Sequence, residues 1–225
     1  METLKKDNPG ASFLSLLEEQ RRTFISWFND HILYGDVVAS DTVRTLAHLP
    51  RFEVRVYSRY EVNGFFFSPK ERDDSGTMQN SGVMVVATGR SFADKSDSNP
   101  VEDKDTFFGV IEEIWELCYV GLCVPLFKCH WVKNETGIQY DEGFTLVNLS
   151  KNAYADDPFV MFCQVRHVFY VDDPAKKGWS IVLPGKTQAQ GDELQGSNLF
   201  FQYPSRSRIS EPDFVKDIVY ATRDD

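Results

Sequence analysis

Three cysteines and a histidine crowd into "CYVGLCVPLFKCH", residues 118–130. Cys118, Cys123, Cys129 and His130 are residue types that hold zinc. Structural zinc sites, however, take their ligands from close CxxC-type pairs, and no such pair occurs here. The stretch is apolar and strand-like, so the expectation is no metal and buried, reduced thiols. Cys163 is the remaining cysteine of four. "METLKKDNPGAS" at the start lacks the apolar core of a secretory signal, so reduced thiols point to an intracellular protein.

Carboxylate pairs come next: Glu112–Glu113, Asp141–Glu142, Asp156–Asp157 and Asp172–Asp173. Two acids and a divalent ion can drive phosphoryl transfer. Neighbours on a strand point to opposite faces, so each pair would offer one acid per face. The two Asp-Asp-Pro runs read better as turns. Cys163 and His167 share a face of a presumed strand, but four residues at strand rise separate them by roughly 13 Å, too far for a nucleophile and its base. No GxSxG, P-loop or GxGxxG is present. No catalytic residue, metal ligand or cofactor is assigned.

Binding chemistry is concentrated in the polar stretch 67–82. It holds Lys70 and Arg72, then Asp73 and Asp74, then Gln79, Asn80 and Ser81. Lys70 and Arg72 suit an anion. Gln79 and Asn80 suit backbone or base edges, although Asn80-Ser81-Gly82 is equally good turn chemistry. Trp115 and Trp131, with Tyr119, are candidates to line an aromatic pocket by analogy with chromatin-reader barrels.

The elements that must position these groups follow from periodicity. Residues 12–33 repeat apolar side chains at helical spacing, with Trp27 and Phe28 expected in the core and Gly35 as the stop. Ser40 or Asp41 caps a short helix over "TVRTLAHL". From Phe52 the period becomes two, and about eight short strands follow. The ambiguous "FFGVIEEIWEL", residues 107–117, is read as a strand because it is β-branched, aromatic and interrupted by Gly109. Residues 90–105 read as a mobile loop, and 159–173 as one strand. The polar 186–225 reads as a tail with one helical turn at "DFVKDIVY". The expected organisation is a helical segment 1–50, a β-rich domain 51–185 and that tail. The fold class is mainly β, α+β overall: two N-terminal helices before an antiparallel, closed or half-closed small barrel, with an SH3-like closure among its options.

Two blocks, "YEVNGFFFSPKERDDSGTMQNSGVMVVA" and the run from "FFGVIEEIWEL" to "GWSIVL", carry a family resemblance. With "RRTFISWFNDHI" and "TVRTLAHLP" before them, they resemble the plant domain of unknown function that follows the transposase in CACTA (En/Spm-type) transposons. The resemblance spans roughly residues 20–185. The family's basic residue, aromatic and His-Thr pair after "NG" are replaced here by Phe65, Phe66, Phe67, Ser68 and Pro69. Cys118 and Cys123 stand where Asp and a polar residue are common. The resemblance implies a transposon-derived accessory chain, without the ribonuclease-H-like catalytic core that lies upstream, and a nuclear location.

Charge decides among functions. The chain carries -10 at pH 7, and residues 101–160 hold 4 basic against 11 acidic side chains, a balance of -7. Nucleic-acid binding needs a basic face to replace counterions. The first expectation is therefore a non-catalytic module binding protein partners, among them other transposon proteins. Nucleic-acid binding through the 67–82 loop and exposed aromatics is the alternative. The chain has no apolar run long enough to span a membrane. Oligomeric state is not legible.

Overall fold

The structure is a computed structural model that describes residues 6, 8–62, 65–91, 101–185 and 215–220. The chain forms two compact units. One comprises the chain up to Glu53 together with Leu117–Cys123, and the other comprises Val54–Glu116 with Val124–Tyr220.

The first unit holds the two expected helices. Helix α1 (Phe13–Leu33) starts at Ser12, whose side-chain oxygen accepts the Ser15 N–H at 3.2 Å. Helix α2 (Asp41–Ala47) starts at Ser40 by the same device, accepting from Val43 at 3.4 Å. These caps satisfy donors that the first turn of a helix leaves open. The Asn29 amide donates to the Ala47 carbonyl at 2.7 Å and ties the helices together. Leu16, Ile32 and Ala47 are buried. The expectation for Trp27 fails: it is 53% exposed, beside Phe24 at 46% and Ile25 at 58%.

The second unit is antiparallel β. Its strands are β1 (Glu53–Tyr57), β2 (Tyr60–Val62), β3 (Phe65–Phe67), β4 (Gly82–Ser91), β5 (Val101–Cys118), β6 (Cys123–Val132), β7 (Ile138–Asp141) and β8 (Phe144–Val147). They continue with β9 (Asn152–Ala153), β10 (Phe159–Met161), β11 (Arg166–Asp172), β12 (Ser180–Pro184) and β13 (Val215–Tyr220). Two short helices interrupt them, α3 (Lys70–Asp74) and α4 (Asn134–Gly137). The main path runs β10-β6-β5-β4-β11-β12-β8-β7, with β9 on β6 and with β1 joined to both β5 and β13. Eight strands of it curl into a half-barrel. β2 and β3 form a separate pair.

Alternation along the strands fills both faces. Val83, Ile111, Phe127, Cys129 and Trp131 pack in one cluster with Tyr57, Tyr60 and Phe67. Their neighbours Val110 and Val132 pack in the other with Phe108, Val147, Val168 and Tyr170. Such double burial requires apolar residues at consecutive positions, which explains the "GVI" and "WV" runs.

The alternation slips once. Ile111 faces the first cluster, and so does Ile114, three residues on. An odd step of three returns to the same face only if one extra residue is inserted, the signature of a β-bulge. The slip falls on Glu112–Glu113.

Several expectations are corrected. The 107–117 strand is present but longer, since Val101–Asp105 and Arg90–Ser91 pair as strand rather than forming a loop; residues 92–100 of that reading lie outside the described residues. The 159–173 segment is two strands, because a 3-10 turn (Phe162–Gln164) separates β10 from β11. "DFVKDIVY" contributes β13, not a helical turn, since pairing with β1 overrides its local helical pattern. The remainder of the 186–225 reading lies outside the described residues.

The cysteines differ too. Cys118 and Cys123 form a disulfide, with Cα atoms 4.0 Å apart. Tyr119 N–H bonds the Leu122 carbonyl, and Gly121 takes φ +82°, so a two-residue turn sets the flanking cysteines opposite each other. Cys129 is buried and Cys163 exposed.

Candidate functional site

The polar stretch between β3 and β4 is built around one carboxylate. Pro69 opens α3, which brings Asp73 back towards the chain at Asn80 and Ser81. Asp73 Oδ1 accepts the Ser68 hydroxyl at 3.1 Å and the Asn80 N–H at 3.0 Å. Its Oδ2 accepts from Asn80 at 3.0 Å and Ser81 at 2.9 Å. Ser68 N–H in turn reaches the Asn80 carbonyl at 3.1 Å. Composition marks this segment as loop, while the residue that organises it was hidden in an Asp-Asp pair. No local signal marked it, because its backbone partners stand seven and eight residues further on, beyond Asx-turn spacing.

Each candidate residue has a definite place. Lys70 Nζ pairs with Asp74 at 2.6 Å on exposed α3. The Gln79 amide donates to the Tyr170 carbonyl at 2.8 Å and accepts its N–H at 2.9 Å, so it holds β11. Trp131 is core, with its ring N–H on the Pro158 carbonyl at 3.1 Å. Trp115 is half-buried, packs on Phe159 and donates to Glu113 at 2.8 Å. Trp131 thus belongs to the core cluster, whereas Trp115 is placed by its contacts with Phe159 and Glu113. Arg72 and Asn80 do come together.

They line a cleft of about 530 Å³ with Arg59, Ser68, Asp73, Ser75, Gly76, Thr77 and Met78. The Arg59 guanidinium lies 3.7 Å over the Phe66 ring. Among the described residues, neither Arg59 nor Arg72 makes an ion pair, and the Asn80 carboxamide and Thr77 hydroxyl make no hydrogen bond. Arg59 was not singled out from sequence, since only the β2–β3 pair brings it to the loop.

A second cleft of about 420 Å³ is lined by Lys70, Glu71, Val110, Glu112, Glu113, His130 and Leu149. The bulge puts both Glu112 and Glu113 on it, against the one-acid-per-face expectation. The three glutamates still do not gather their oxygens within 4.8 Å as an ion would require. Glu113 is taken by Lys128 at 2.6 Å, and that hydrogen bond raises the lysine's pKa. His130 bonds the Leu149 carbonyl at 3.0 Å and lies 3.6 Å from Glu112.

Among the described residues, neither free cysteine has a lowered pKa. Burial pushes the Cys129 thiol far up and raises Cys163 as well. His167 sits between Phe67 and Phe169, and burial lowers its pKa despite the opposing charge of Asp73. The Asp-Asp-Pro turns are as expected: Asp173 Oδ1 caps Ala175 at 2.8 Å, and Asp157 N–H bonds the Tyr154 carbonyl at 3.0 Å.

Against known families, residues 115–182 match the model of a domain of unknown function (DUF4216). The match runs from the second half of β5 to β12, and includes neither α1 nor the Arg59–Arg72 cleft. No curated protein and no solved structure matches the chain.

Proposed function

We propose that this chain is a non-catalytic interaction module that binds protein partners, derived from a plant CACTA-type transposon protein and acting in the nucleus. The transposon origin rests on the motifs spread over residues 20–185. The observation that carries the binding role is the outer face of α1. Phe24, Ile25 and Trp27 are about half exposed there, and Tyr34 just beyond is 81% exposed. Phe24 stacks on Phe28 at 5.6 Å, and Trp27 on His31 at 4.8 Å, so the rings already form an ordered strip. Exposed apolar patches of this kind mark interaction surfaces, and aromatic residues dominate their energetics.

The test compares the wild-type chain with a Phe24→Ser, Trp27→Ser variant in quantitative affinity capture from plant nuclear extract. The reading expects partners enriched by wild type and lost by the variant, at an unchanged melting temperature. A variant that keeps the same partners, or melts many degrees lower, overturns it.

A further inference from the structure

We infer that the Arg59–Arg72 cleft is a receptor for a single phosphate monoester carried on a peptide, a phosphoserine or phosphothreonine side chain. This site lies on the β-rich unit and is independent of the α1 surface.

The cleft supplies two guanidiniums that no carboxylate of the described chain neutralises. A guanidinium presents a planar fork of donors that matches tetrahedral oxyanions. Two of them balance the charge of a phosphate monoester, about -1.5 to -2 at pH 7. The unpartnered Thr77 hydroxyl and Asn80 carboxamide add neutral donors at the same wall.

Asp73 lines the cleft and would repel an anion. Both its oxygens, however, are already occupied by Ser68, Asn80 and Ser81. Its charge is engaged in ordering the loop, and the three charged groups Arg59, Arg72 and Asp73 still sum to +1.

Peptide is favoured over nucleic acid as the carrier. A nucleic acid must have several phosphates neutralised at once. Among the described residues this cleft is a small basic spot, and the chain carries a net charge of -10. Two apolar side chains are at hand: Met78, which lines the cleft and is 69% exposed, and Phe66, which lies under the Arg59 guanidinium and is 39% exposed. Such side chains suit the residues flanking a phosphorylated position.

The experiment is a fluorescence-anisotropy titration of the full chain with a labelled peptide pool of fixed phosphothreonine and degenerate flanks. The dephosphorylated pool, the same pool with Glu at the fixed position, and a 20-nucleotide single strand are the comparison probes. The expected result is about tenfold tighter binding of the phosphorylated pool than of either other peptide pool, which corresponds to about 1.4 kcal/mol. Arg59→Ala and Arg72→Ala each remove that preference, while Arg72→Lys keeps part of it. Arg72 is exposed and Arg59 is half-buried over Phe66, and the melting curve verifies that each variant keeps the fold. Equal binding of the three peptide pools overturns the inference, as does tighter binding of the single strand or a preference that survives both alanine variants.

Discussion

At the scale of single residues, Asp73 and the buried titrating groups carry the predictions. Asp73→Ala leaves the Asn80 and Ser81 N–H groups without their acceptor. The expected loss is about 1–3 kcal/mol in urea unfolding, with Asp73→Asn between it and wild type. His167 has a folded-state pKa lowered by burial. The unfolded chain therefore takes the proton first, and this contribution to stability is complete above pH 6.5 and lost as pH falls through the lowered value. Unfolding curves between pH 7 and 4.5 should show that loss, and His167→Gln should flatten it. Tyr57 behaves oppositely: burial, then the Glu116 carboxylate at 2.9 Å, push it up to about 12. Its contribution is constant up to pH 10 and declines between pH 10 and 12, because the unfolded chain ionises first. The cysteines give a count. Thiol titration of the denatured, unreduced chain should find two free thiols of four. Reduction should expose all four and cost about 2 kcal/mol for so short a loop. The sequence could not show this pairing, since only the tightness of the Val120–Gly121 turn decides that Cys118 meets Cys123 rather than staying a thiol.

At the scale of elements, the contrast between helix and sheet is testable. Trp27→Ala on α1 should change stability by less than about 0.5 kcal/mol, while Phe127→Ala in the sheet should cost about 3–5 kcal/mol. Gly109→Ala should also be costly, since an added Cβ would sit 2.7 Å from both the His130 carbonyl oxygen and the Trp131 ring. Helix positions were legible because capping serines and a 3.6 period are local signals. The helix's exposed side was not, because amphipathic spacing says that a face is apolar and not whether anything covers it. The 107–117 strand was legible from Gly109 and β-branching. The bulge at Glu112–Glu113 was not, since a phase slip of one residue is invisible until partners on both sides are known. β13 was missed for a related reason: its partner β1 stands more than 150 residues away in sequence, beyond any local pattern.

At the scale of the whole molecule, charge is the governing quantity. A titration against generic duplex DNA should show no binding at low salt, and a steep salt dependence would instead establish phosphate contacts. The half-barrel was legible as a class from the number and apolarity of the strands. The choice between a closed and a half-closed barrel was not, because closure depends on how much the sheet curls. The Arg59–Arg72 cleft was half legible: Arg72 and Asn80 stood out as loop polar residues, whereas Arg59 was not singled out, because it lies outside the polar stretch and reaches it only through the β2–β3 pair.

Gln79 has a bearing on how copies of this chain meet one another. β4 pairs with β11 only through Arg166 and His167, so the remaining backbone on that side of β11 would be open to a foreign strand. The Gln79 amide occupies the Tyr170 N–H and carbonyl as a surrogate peptide unit. Without it, that donor and acceptor would stand open on the strand. Its removal would be felt first as lost solubility in concentrated solution, well before any change in the fold of the isolated molecule.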